Sequence, residues 1–147
     1  TEYTDLTKNG RKIKRWRLEN SNLEQTIYKA GWLKHPSTQW VMASAYNYIW
    51  LYKHMMALNE EYKLRYNHTK DHMCIQKLGD VLSTPPLNAP INVQGTDATP
   101  AMPDECKVPG DSVASYRKYY IMKKNRFATW KTTIPTWYSE GLANANI

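Results

Sequence analysis

Cysteine is scarce in this chain of 147 residues, which has only Cys74 and Cys106. Two cysteines do not make a disulfide framework, and these two lack the close spacing of a zinc knuckle. The expectation is a reduced, cytoplasmic setting with no metal and no cofactor. Long apolar runs are missing as well. Nothing approaches the ~20 residues of a membrane span, and no secretory leader is visible, so no membrane partner is expected. Phenylalanine is represented once, and the aromatic content rests on eleven Tyr and six Trp. Such rings carry a polar handle and suit half-wet sites as well as cores. There is no internal repeat. The chain does not begin with Met, which fits either removal of that residue before Thr1 or a piece of something longer.

What is present in excess is positive charge. Lys and Arg number 20 against 13 Asp and Glu, for a net charge of +7. A field of that sign favours acidic partners, nucleic acid first and an anionic membrane surface second. The run Arg11-Lys12-Ile13-Lys14-Arg15-Trp16-Arg17 lies near the N-terminus. It reads as a phosphate-contacting arm or as a solvated terminus. Asn9-Gly10 before it is a turn signal able to join two short strands.

Punctuation by Pro and Gly predicts the rest. Pro36 suits a helix's first turn, and neither Pro nor Gly follows until Gly79. One helix is predicted from about Ser37 to Tyr66, apolar all round, with Trp40, Leu51 and Leu58 buried. A second is predicted over about Lys70 to Leu82, with Met73, Leu78 and Val81 inward. Residues 83–110 hold most of the Pro and Gly and are expected to be a long loop. Asp111 is the predicted N-cap of a third helix, about Ser112 to Lys131, with Val113, Tyr116, Tyr120 and Phe127 inward and Lys118, Met122 and Arg126 as an outward ridge. The expected fold class is all-α: a small single domain spanning 1–147, with a long central helix and a long Pro-rich loop.

Several clusters carry chemistry. Asn47, His54, Glu61 and Arg65 fall on one line of the long helix, as an acid–base site or as a structural network. His68 and His72 stand four apart, with no third ligand at metal-site spacing. Asp104 and Glu105 lie beside the third helix, where acidic groups favour a helix N-terminus without any catalytic role. Lys118, Lys123, Lys124, Arg126 and Lys131 make that helix the most cationic element, spread around it so that at most three or four meet phosphate together. Trp130, Trp137 and Tyr138 follow, rings able to stack on bases.

The chain resembles a bacteriophage family related to the pyrimidine-dimer DNA glycosylases of the phage endonuclease V type. The likeness is carried by Tyr28-Lys29-Ala30, His35-Pro36 with Trp40, Asn47-Tyr48 with Trp50-Leu51, and Glu61-Tyr62 with Arg65-Tyr66. It continues through Leu82-Ser83-Thr84-Pro85-Pro86, Ala101 to Lys107, Ser115-Tyr116-Arg117 with Tyr119-Tyr120, and Pro135-Thr136-Trp137-Tyr138. It covers about residues 28–138, with residues 1–27 a basic arm or loop. It implies an all-helical domain that binds duplex DNA in a phage-infected bacterial host, with no obligate protein partner. It also implies glycosylase and β-elimination chemistry, in which an N-terminal amine attacks the sugar and a Glu assists. Thr1 would be that amine, and Glu19 and Glu24 lie in range by count. Residues 1–27, however, resemble the loop that follows the family's catalytic helix, so a fragment or a diverged binding domain is expected. Thr1, Glu24, His54, Glu61 and Asp104 are the catalytic candidates. Arg65, Arg117, Lys118, Lys123, Lys124, Arg126, Trp137 and Tyr138 are the DNA-binding candidates. Two alternatives remain: a non-enzymatic nucleic-acid-binding or virion-associated protein, and a nucleotide-modifying enzyme using the Asn47–Arg65 line with Asp104.

Overall fold

A computed structural model describes residues 1–145. The chain divides into two compact units, Thr1–Gln94 and a second beginning at Gly95. The first opens with an antiparallel hairpin, β1 (Glu2–Leu6) and β2 (Lys12–Trp16), in which Thr4 faces Lys14 and Leu6 faces Lys12. The all-α expectation is therefore corrected: the fold is mostly helical with a two-stranded sheet. Thr7 and Arg11 close the turn, and Gly10 takes φ +72°, which a residue without Cβ adopts at no steric cost. Alternation along the strands leaves Lys12, Lys14 and Trp16 exposed, while Tyr3, Asp5, Ile13 and Arg15 are half-buried.

A short helix α1 (Ser21–Thr26) follows, capped by Asn20. The long helix predicted from Ser37 is two helices, α2 (Pro36–Met42) and α3 (Ala45–Tyr66). Ser44 separates them in extended conformation, and its Oγ accepts from Tyr46 N at 3.1 Å and donates to Val93 O at 2.7 Å. Ala45 N donates to Pro90 O at 3.0 Å. The break thus comes from a serine cap fastened to the Pro-rich loop. A search for Gly and Pro breakers does not see such a cap.

The helix α3 is not the buried centre expected of it. Leu51 is 42 % and Leu58 61 % exposed. Its buried residues are Ala45, Asn47 and Asn59, and it ends at Asn67 in the left-handed region. The fourth helix, α4 (Met73–Leu82), turns Ile75, Leu78 and Gly79 inward, with Met73 exposed and Val81 at the margin. Tyr48 Oη donates to Leu82 O at 3.0 Å across the two helices.

The second unit is built on α5 (Ser112–Tyr119), which Asp111 caps as predicted by accepting from Ala114 N. Ser115 is fully buried; its Oγ accepts from Val108 N at 2.8 Å and donates to Asp111 O at 2.7 Å. The predicted third helix does not run regularly to Lys131. It widens into a π turn at Tyr120–Lys124 and tightens into a 3-10 turn at Asn125–Phe127. Val113, Tyr116, Tyr120 and Phe127, expected inward, are all exposed. The last described helix is α6 (Thr136–Asn144), with Tyr138 buried. Gly141 gives Ile121 its room there, since a Cβ would meet Ile121 Cδ1 at 2.2 Å and the isoleucine would have to move.

Candidate nucleic-acid interface

Five cations lie within ten residues of α5 and the turns after it, and each has a distinct environment. Lys123 is paired with Glu105 at 3.0 Å. The hydrogen bond between them raises the Lys123 ammonium and lowers the Glu105 carboxyl from their ordinary values. Lys124 is half-buried, its ammonium 5.2 Å from the Tyr119 ring centre and 5.3 Å from that of Phe127. Arg126 lies over Phe127 at 4.6 Å and Arg117 over Trp137 at 5.5 Å. Lys118 is exposed. A guanidinium resting on a ring keeps its in-plane N–H groups free to reach phosphate, and the ring fixes its direction. Of these five, Arg117, Lys118 and Arg126 are thus the exposed cations not given over to a carboxylate pair among the described residues.

The terminal aromatic pair divides. Trp137 is half-buried, edge-on to Tyr120 at 6.4 Å and to Tyr138 at 5.7 Å. Tyr138 is 5 % exposed and packs on Trp130 at 4.5 Å. Its ring belongs to the core of the second unit, and its surface role is withdrawn.

The acidic loop sits in the 3-10 turn Asp104–Cys106, over a buried Cys106. Asp104 bonds Lys107 at 2.7 Å, and that hydrogen bond holds its carboxyl below the ordinary value. A carboxyl so held is ionised at neutral pH and has no proton to give as a general acid.

The polar line on α3 does not act as one unit. Asn47, near its start, donates to Trp40 O at 2.8 Å. His54 is exposed and stacks on Trp50 at 5.1 Å. Glu61 and Arg65 pair at 2.5 Å. Fourteen residues separate Asn47 from Glu61, about 21 Å along a helix, too far for a shared contact. Glu61 and Arg65 instead border a cleft of about 670 Å³ with Tyr62, Tyr66, His72 and Ile75. In it Tyr62 stacks on His68 at 5.0 Å and meets His72 edge-on at 5.3 Å. His72 Nδ1 also caps α4, accepting from Cys74 N. Asn59, absent from the sequence candidates, organises this corner. It is buried, donates to Asp71 Oδ1 at 2.7 Å and accepts from His72 N at 2.8 Å.

Thr1 and Glu24 flank one peptide group. The Thr1 amine donates to Arg17 O at 2.8 Å, and Glu24 accepts from Leu18 N at 3.1 Å. Among the described residues no helix is long and apolar enough to cross a membrane. The chain matches no protein-family model, no curated protein and no solved structure.

Proposed function

We propose that this protein binds DNA, with α5 and its following turns as the phosphate-contacting surface. The observation that carries the reading is the trio Arg117, Lys118 and Arg126: three exposed cations on one short stretch, two of them braced on aromatic rings. Bracing lowers the freedom lost when a guanidinium meets phosphate. The net charge of +7 adds attraction at longer range. The resemblance to the phage pyrimidine-dimer glycosylase family points the same way, toward duplex DNA in the cytoplasm of an infected host.

The test is titration of the full chain against labelled duplex over a range of salt. Removing Lys118 and Arg126 together lowers affinity for every sequence tried and flattens the salt dependence by roughly one to two units. An unchanged slope in that variant rejects this surface as the contact.

A further inference from the structure

Trp32 is the most exposed tryptophan of the chain, at 85 %, and its backbone takes φ +54°. Bulky residues rarely adopt that region, and such strain persists only where the surroundings impose it. Here they do. The Arg15 guanidinium of β2 donates to Ala30 O, and Lys29 pairs with Asp5 of β1 at 2.9 Å. His35 N donates to Trp32 O at 2.8 Å, and Gln39 Nε2 donates to Leu33 O. Among the described residues Arg15 Nε is buried without a hydrogen-bond partner, a second local cost at the same clasp. The half-buried face of the hairpin therefore grips the loop 29–34 and holds one indole out to solvent.

We infer that Trp32 is a base-stacking residue that engages an unpaired base of DNA. This rests on the DNA-binding reading and adds a contact in the first unit. Every base presents a π face, so an exposed indole on a held backbone stacks without regard to sequence. Lys34 supplies an exposed cation on the same loop, while Lys29 and Lys14 are held by Asp5 and Glu2 at 2.9 Å each. A lipid surface fits less well. Tyr28, Lys29, Lys34 and the half-buried Leu33 lie beside Trp32 in a loop that carries two cations, not on a helix with one continuous apolar face of the kind that membrane-surface binding uses.

The experiment compares full-length protein and three variants on a labelled single strand and on the same sequence fully paired. Trp32→Ala loses roughly 5- to 150-fold in single-strand affinity, the factor that one stacking contact represents, and keeps its duplex affinity. Trp32→Tyr retains most of the single-strand affinity because it keeps a ring. Trp32→Gly removes the ring where glycine is at ease, so it loses single-strand binding with no fall in thermal midpoint. Single-strand affinity unchanged in Trp32→Ala, or equal losses on both DNAs, overturns the inference. So does capture of wild-type protein by anionic vesicles that Trp32→Ala abolishes. If wild type binds neither DNA at low salt, the DNA reading itself has failed, an outcome distinct from any difference among variants.

Discussion

Ser44 follows the C-cap Ala43 of α2 and starts α3, and the residue is 1 % exposed. Its hydroxyl caps α3 and donates to Val93 O, so truncation removes a cap and the tie to Val93 together. Ser44→Ala should cost about 1–3 kcal/mol, read as a lower urea midpoint at unchanged slope. A midpoint equal to wild type would mean that the loop 83–94 is not fastened through this residue. Asp71 offers a second test through pH. Hydrogen bonds from Asn59 and then Lys63 hold its carboxyl below the ordinary value. A carboxyl lowered in the folded state adds stability above its unfolded value, about 3.9, and loses it as pH falls through the folded value. Asp71→Asn should therefore be less stable than wild type at neutral pH, and the gap should close as pH drops below about 4. Thermal midpoints across that range check it, and a gap independent of pH would assign the loss to packing. Neither Ser44 nor Asn59 was legible as a keystone, because each acts through partners brought close only by the chain's return.

Elements tell the same story at larger size. The hairpin was readable in part: Asn9-Gly10 gave the turn, but flanking Lys and Arg masked the strand alternation that pairing reveals. Helix α5 began where Asp111 and the preceding Gly110 placed it, since caps are local chemistry. Its far end was not readable, because widening at Tyr120–Lys124 leaves no mark in composition. The apolar spacing of Val113, Tyr116 and Tyr120 suggested burial, yet all three stay exposed, and Tyr120 meets Trp137 edge-on instead. Gly141 tests how α6 meets that widened turn. Alanine gains helix propensity but drives its methyl into Ile121, a clash of the kind that costs about 1–3 kcal/mol. Gly141→Ala should destabilise the wild type and become neutral or stabilising by up to about 1 kcal/mol when Ile121 is first replaced by Val. Equal effects in both backgrounds would contradict the close packing of these elements.

For the whole molecule, charge was the most durable signal in the sequence. It depends on composition and survives errors in placing elements. Burial is legible only in part: Leu78 lies in the core as its spacing predicts, whereas apolarity alone does not bury Leu51 and Leu58, since apolar surface is common on folded proteins. Among the cations proposed to contact phosphate, Lys123 is tied to Glu105 and Lys124 lies under two rings, and the Tyr138 ring is core. That narrowing sets a number. Three phosphate contacts at roughly 0.9 each give a slope of log affinity against log salt of about −3 on duplex DNA. The decisive measurement is the binding of the full chain to labelled duplex as salt is raised from a low starting concentration. The account predicts measurable affinity at low salt, where screening is weakest, falling with a slope near −3. No affinity at low salt, or affinity indifferent to salt, would contradict it.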